Sequence, residues 1–455
     1  MKNIGIVGGG LVGSLWATFL GKKGFDVTVY EKRPDMRLTG GQAGRSINLA
    51  LSHRGWVALD RLGIADAVRD QAIPMPGRMI HHLDSSTVFQ PYGSSGQAIY
   101  SVSRNGLNFV LDTANDGYKN VKYIYNARCT DIDLENGHLQ YLYNNEKEET
   151  ATHQFIFGTD GAFSRIRLAM QMTDRFDYSQ KYLAHGYKEL SIPAGEDGGW
   201  LLEKNALHIW PRGNFMLIAL PNADGSFTCT LFLPFEGEKA FEKLPSPEAM
   251  HRFFASEFPD AIPLMPTLEE DFFNNPTSSL ITVQCFPWSI NAKSLLLGDA
   301  CHAIVPFYGQ GMNAGFEDCC ILDDMMNTYS ITPESSPARW GEMVRAYEQK
   351  RKPDADAISQ LAFDNFIEMR DKVADPQFIL RKKIEKWLHA HYSDIYIPTY
   401  TQVTFSSTPY AKAYTSGLLQ DQFFAEMFSW EGFADHWNEP HFEGKIEELC
   451  YKYFG

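Results

Sequence analysis

Asn3-Ile4-Gly5-Ile6-Val7-Gly8-Gly9-Gly10-Leu11-Val12-Gly13, an apolar run that breaks into glycines, opens the chain and sets its architecture. The run 3–7 predicts a strand, Leu11 to Lys22 a helix, and Asp26 to Glu31 a second strand, which together make a βαβ unit. The pattern Gly8-x-Gly10-x-x-Gly13 falls on the strand-to-helix turn, where each glycine has a task. One allows tight turning, one lets a pyrophosphate approach the backbone, and one packs helix against strand. Glu31 ends the second strand, where a carboxylate can accept from a ribose hydroxyl. The unit predicts dinucleotide binding and does not by itself separate a nicotinamide from a flavin dinucleotide.

Working outward, Thr39-Gly40-Gly41-Gln42-Ala43-Gly44-Arg45 reads as a glycine-rich loop that leads into an extended stretch, Ser46 to Leu51. A helical pattern spans roughly Arg54 to Arg69. Extended segments from Met79 to Val102 are broken by Pro91-Tyr92-Gly93, and helix returns near Arg104. Short strands are predicted at Val121–Tyr125, Leu139–Tyr143 and Phe155–Phe157. From about 180 to 285 the chain alternates like antiparallel sheet, with a hairpin of Phe215–Pro221 and Phe227–Leu233 around Asn222-Ala223-Asp224-Gly225. Ser294 to Leu297 is a further strand. Beyond about 335 the spacing of Ala355, Ile358, Leu361, Ala362, Phe366 and Met369 is helical. The expectation is an α/β, Rossmann-like dinucleotide-binding domain (1–75, 104–178 and 278–330). It is interrupted by a β-rich substrate domain (76–103 and 179–277) and followed by a C-terminal helical domain (331–455).

Composition narrows the function. With 44% hydrophobic and 21% charged residues over 455 positions, the chain is globular. A net charge of −15 disfavours a nucleic-acid partner. The seven cysteines are odd in number and form no CxxC pair, which suits free thiols in a reducing compartment. The N-terminus enters a strand directly, and no run of 18 apolar residues is present, so a cytoplasmic protein without a transmembrane anchor is expected. The aromatic segment Phe423 to Trp430 is expected to pack within the protein. No cluster of His, Cys and carboxylates has metal-ligand spacing, so no metal is expected.

Two later segments choose the flavin. Gly158-Thr159-Asp160-Gly161-Ala162-Phe163-Ser164 resembles the short Asp-Gly motif of the flavoprotein aromatic hydroxylases. Leu297-Gly298-Asp299-Ala300-Cys301-His302 resembles their second FAD motif, whose aspartate contacts the flavin's ribose. Its continuation, Pro306-Phe307-Tyr308-Gly309-Gln310-Gly311-Met312-Asn313, resembles the turn under the isoalloxazine ring. Amides at such a strand-to-helix junction suit the flavin's N1–C2=O edge, where negative charge collects on reduction. On its residues alone, Asp299 could equally be a helix N-cap. The stretches Gly44–Gly55, Arg78-Met79-Ile80-His81, Pro91-Tyr92-Gly93, Ser101–Arg104, Asn365–Arg370 and Pro398–Phe405 are similar to signatures of the kynurenine 3-monooxygenase family. The resemblance covers nearly the whole chain.

That resemblance implies that Arg78 and Tyr92 hold a substrate carboxylate, with Asn365 and Tyr400 completing the site. Taken singly, Arg78 could be a surface ion pair, Tyr92 a turn aromatic and Asn365 a polar face residue. It implies FAD contacts at Gly8, Gly10, Val12, Gly13, Tyr30, Glu31, Lys32, Arg33, Ala50, Arg104, Cys129, Asp160, Asp299, Met312 and Asn313, many through the backbone. The implied chemistry is hydroxylation of L-kynurenine to 3-hydroxykynurenine. Non-covalent FAD, transient NADPH and O₂ carry it through a flavin C4a-hydroperoxide, in a soluble, bacterial-type enzyme without the membrane anchor of eukaryotic relatives. No side chain is expected to act as a catalytic base. Tyr308 stands where other family members carry different residues, which leaves the shape of that pocket wall open. The rivals are a flavin hydroxylase of another anthranilate-like or phenolic acid, a non-catalytic flavin-binding sensor, and a plain NAD dehydrogenase.

Overall fold

Parallel strands buried on both faces have no polar side to show, so their sequences read as unbroken apolar runs. In the computed structural model, which describes residues 1–38, 48–93, 96–369 and 375–455, the opening strand is such a case. Asn3–Val7 pairs in parallel with Asp26–Tyr30 on one side and Phe155–Gly158 on the other, Ile4 facing both Val27 and Phe155. These three strands sit inside a six-stranded sheet completed by Val121–Ile124, Ser294–Leu296 and Ser289–Ile290. Of the stretches quoted above, 39–47 and Arg370 lie outside the described residues.

Helix Leu11–Lys22 starts where the sequence places it and buries Leu15, Trp16, Phe19 and Leu20. Gly8 has φ +101, a conformation open to glycine at no steric cost. Gly13 is demanded by contact instead: a Cβ there would lie 1.9 Å from the carbonyl oxygen of Gly8. A backbone oxygen cannot move aside as a side chain can. Gly13→Ala is therefore expected to destabilise the protein by roughly 1–3 kcal/mol or more and to purify with little dinucleotide. Denaturant unfolding of the flavin-free protein and the flavin absorbance check the two parts separately.

The second sheet has seven strands in the spatial order Ser278–Phe286, Asp177–Ile192, Phe227–Pro234, Met216–Pro221, Leu207–Pro211, Gly77–His81 and Thr87–Pro91. The expected hairpin is present, Met216 opposite Phe232 and Pro221 opposite Phe227. The period-2 alternation gives the sheet two faces. Met216, Ile218 and Phe232 point to the cavity described below, while Trp210, Leu217 and Leu231 point to the back. The continuous antiparallel reading of 180–285 fails after Pro234, because helices Pro247–Glu257 and Leu268–Asn274 cover that back face. Their signal was local: Ser246 accepts from the amide of Ala249 ahead of Pro247 in the first turn, and Met250, Phe254 and Phe272 fill the space behind the sheet.

Strand Ile99–Ser103 pairs with Asn48–Leu51 and Ile73–Met75 in a separate three-stranded sheet rather than with the seven-stranded one. The expected helix from Arg54 to Arg69 is two, His53–Leu62 and Ala65–Arg69, because Gly63 turns left-handed at φ +74. The C-terminal part is helical, led by the 31-residue helix Pro337–Ile367, whose Ala355, Ile358, Leu361, Ala362 and Phe366 are buried. Phe423, Phe424 and Met427 pack in a cluster with Ile384, Leu388 and Ile446, which accounts for the aromatic segment. Among the described residues no helix is long and apolar enough to cross a membrane.

Candidate active site

A cavity of about 430 Å³ opens where the glycine turn, the Pro306–Gly311 turn and the front of the seven-stranded sheet face one another. On one side Gly10, Val12, Ala50, Arg104, Asp299 and Met312 line it. Asp299 begins a four-residue helix whose N-cap is Gly298, with φ +61, so its side chain is not the cap. Its carboxylate has no hydrogen-bond partner among the described residues and looks into the cavity. Burial raises its pKa, with the Arg104 charge pulling the other way. Such an unfilled acceptor suits a donor that the protein itself does not supply, as a flavin's hydroxyls would.

The neighbouring turn is held by one side chain. Asn313 is fully buried; its Oδ1 accepts from the amide of Ser52 at 2.9 Å, and its Nδ2 donates to the carbonyls of Ala50 (2.9 Å) and Gly309 (2.8 Å). Only its backbone is left to meet a cofactor. Gly309 takes φ +66 to swing the chain into helix Gly311–Thr328, and Gly311 and Met312, at that helix's N-terminus, line the cavity. A helix N-terminus favours negative charge nearby.

The other expected flavin contacts, Gly8, Gly13, Tyr30, Glu31, Lys32, Arg33, Cys129 and Asp160, like Asn313, do not line this cavity. Glu31 is buried, its Oε2 accepting from the amide of Gly9 at 2.8 Å and its Oε1 from the amide and Nε of Arg33, each at 2.8 Å. Asp160 Oδ2 accepts from the amide of Arg165 at 2.6 Å, while Oδ1 is buried without a partner. Tyr30 turns its hydroxyl to His153 Nε2 at 2.9 Å, and Lys32 is exposed. Cys129 Sγ lies 3.7 Å from the carbonyl of Asp131, and burial pushes its thiol up to about 12.

The opposite wall brings together residues up to 322 positions apart. Arg78, Tyr92, Asn365 and Tyr400 line the same cavity. The Arg78 guanidinium makes no hydrogen bond or ion pair among the described residues, and its Nε is buried. Its guanidinium carbon lies 5.8 Å from the ring centre of Tyr92. The surface ion-pair alternative therefore fails. Tyr400 is stacked between Tyr92 and Tyr308, with both centroid distances 5.5 Å. Burial pushes the Tyr400 phenol up to about 12, against the pull of Arg78, so it is a hydrogen-bond donor at neutral pH. Asn365 Nδ2 donates to the carbonyl of Phe307 at 2.7 Å and reaches Met369 Sδ at 3.3 Å, which leaves Oδ1 as its free acceptor. Between the two walls Leu207, Ile218, Phe232, Leu280 and Phe307 are apolar. The space thus joins an apolar surface to the unpaired Arg78 guanidinium.

A model of the FAD-binding domain family matches residues 1–192. A kynurenine 3-monooxygenase of Flavobacterium johnsoniae is 48% identical over 451 residues, covering 99% of each chain. One from Dictyostelium discoideum is also 48% identical, over 432 residues, covering 94% of this chain and 93% of the other. The chain belongs to the kynurenine 3-monooxygenase family. Its fold is that of FAD-dependent aromatic hydroxylases. A tetrameric form of 2-methyl-3-hydroxypyridine-5-carboxylic acid oxygenase superposes with a TM-score of 0.66 at 20% identity, covering 83% of this chain and 94% of that one.

Two residues inside the Pro306–Asn313 motif make contacts that the motif did not reveal. Tyr308, where the sequence left the shape of the pocket wall open, is one face of the tyrosine stack. Gln310 lines the cavity and accepts at Oε1 from the hydroxyl of Tyr410 at 3.0 Å, a bond that spans 100 positions and leaves no local pattern.

Proposed function

We infer that the protein hydroxylates the aromatic ring of L-kynurenine, giving 3-hydroxykynurenine, with non-covalently bound FAD, NADPH as the transient reductant and O₂ as the oxidant. One O₂ is consumed with NADPH and a proton; one oxygen atom enters the ring and the other leaves as water. The observation that carries this reading is the shared cavity. It joins an unfilled carboxylate and helix amides suited to a flavin with an unpaired guanidinium, its Nε buried, suited to an amino-acid carboxylate.

FAD, when bound, would supply the redox chemistry and the activated oxygen. Gly10, Val12, Ala50, Asp299 and the amides of Gly311 and Met312 would hold it. Arg78 neutralises the substrate carboxylate with a charge-assisted, bidentate bond, and the Tyr92 and Tyr400 phenols donate beside it. Asn365 Oδ1 is placed to accept from an ammonium or amine. The apolar wall takes the aromatic ring and keeps water from the reacting oxygen. No His or Glu lines the cavity among the described residues. An arylamine ring is already electron-rich, so oxygen transfer to it demands no strong base. With seven unpaired cysteines, six of them buried, a reducing compartment, the cytoplasm, is the proposed location.

NADPH oxidation in air tests the substrate class. L-kynurenine is expected to stimulate it far more than hydroxybenzoates do, and equal stimulation would point to a hydroxylase of another acid. A further expectation concerns Tyr400→Phe, which removes one hydroxyl without opening a large cavity. Losing one hydrogen bond of about 0.5–1.5 kcal/mol should weaken kynurenine binding by roughly two- to tenfold. Product formed per NADPH should fall with it. Wild-type affinity and yield would make Tyr400 scaffolding.

A further inference from the structure

Arg54 touches neither cavity wall, yet it ties the Tyr400 segment to the rest of the site. It sits in the first turn of helix His53–Leu62 and is 1% exposed. Its Nε donates to the carbonyl of Val403 at 3.1 Å, its Nη2 donates to the carbonyl of Thr408, and its Nη1 pairs with Glu317. The guanidinium also lies over the Tyr410 ring, 3.8 Å from its centre. One planar fork thus binds three stretches. They are the short helix Thr399–Thr404 that carries Tyr400, the turn after it, and helix Gly311–Thr328, which begins at the cavity. Tyr410 and Gln310 add a parallel link from the C-terminal helices to the flavin turn.

A buried cation is a costly way to fill space, and apolar residues of similar size often stabilise a fold as well or better. What the fork adds is register. The two carbonyls it holds, Val403 and Thr408, lie three and eight positions beyond Tyr400. Glu317 has a second cation beside it, since Arg351 Nη1 lies 2.8 Å from its Oε2. We propose that Arg54 is a positioning residue for the hydroxylation. It fixes the 399–408 segment against helix Gly311–Thr328 and so sets the Tyr400 hydroxyl at the substrate end of the cavity. This rests on the reading of the cavity as the kynurenine site.

Arg54→Lys keeps the charge beside Glu317 but is a point cation that cannot span both carbonyls in one plane. Kynurenine titration, followed by the flavin spectrum, should show wild-type flavin content with affinity lowered about tenfold. Product per NADPH should fall and hydrogen peroxide should rise. Arg54 is taken to act through the Tyr400 hydroxyl, so the Arg54→Lys/Tyr400→Phe double variant should be little worse than Arg54→Lys alone. Additive losses, or an Arg54→Lys protein that binds and couples like wild type, would overturn the proposal. If Arg54→Lys holds no flavin, Arg54→Met, which leaves Glu317 its pairing with Arg351, is put through the same titration. Loss of flavin in both variants would assign Arg54 to the fold and overturn it as well. A wild-type protein whose spectrum ignores kynurenine would instead overturn the functional reading on which the proposal rests.

Discussion

Arg78→Ala is expected to purify yellow and to bind L-kynurenine more weakly by roughly 2–5 kcal/mol, about thirtyfold at the least. The flavin should stay because Arg78 lies on the wall opposite Asp299 and has no protein partner to orphan. Binding should fall because the substrate's carboxylate would lose the charge-assisted partner beside Tyr92 and Tyr400. The neighbours cannot substitute. Burial holds the Tyr92 and Tyr400 phenols neutral, so they can donate hydrogen bonds but carry no positive charge. Arg78→Lys should fall between the two, restoring charge without the bidentate fork. Spectral titration with kynurenine decides the matter; an affinity within a few-fold of wild type would mean that the carboxylate is held elsewhere.

Asp299→Ala is expected to do the reverse, purifying largely colourless while remaining folded. A hydrogen bond from a flavin hydroxyl to a carboxylate contributes about 1.5–3 kcal/mol, so FAD affinity should fall by roughly ten- to over a hundredfold. The fold should not suffer, since no protein group donates to that carboxylate among the described residues. The sign of its pKa shift sharpens the expectation. A carboxyl whose pKa is raised by burial is disfavoured in its charged form, so above that pKa it costs the flavin-free protein stability. Flavin-free Asp299→Ala should therefore unfold at a denaturant concentration no lower than flavin-free wild type at neutral pH. A fully flavinated variant would remove Asp299 from the site.

The parts of this fold that were legible in sequence are those where the backbone itself makes the demand. Gly8 and Gly13 answer to a left-handed turn and to a carbonyl 1.9 Å from where a Cβ would be, and no other residue type meets both needs. Continuous apolar runs marked the buried parallel strands for the same kind of reason. Helices Pro247–Glu257 and Leu268–Asn274 were passed over because their aromatic residues suit a sheet face as well as a helix stripe, and only Ser246 and Pro247 marked the start. In the site, Arg78, Tyr92, Asn365 and Tyr400 were named through family motifs, and the structure gathers all four on one wall. Their arrangement was not legible. The stacking of Tyr400 between Tyr92 and Tyr308, the commitment of the Asn365 amide to Phe307 and the fork of Arg54 are contacts between distant segments. No local pattern encodes them.

If this cavity delivers one atom of O₂ to the ring of kynurenine, that atom can be followed by isotope. Incubation of the flavin-loaded protein with L-kynurenine, NADPH and ¹⁸O₂, followed by mass spectrometry of the product, tests it directly. The expected product is 3-hydroxykynurenine carrying one ¹⁸O atom, formed in close to equal amount with the NADPH consumed. NADPH consumption that yields only hydrogen peroxide, or a hydroxylated product whose oxygen comes from water, would contradict it.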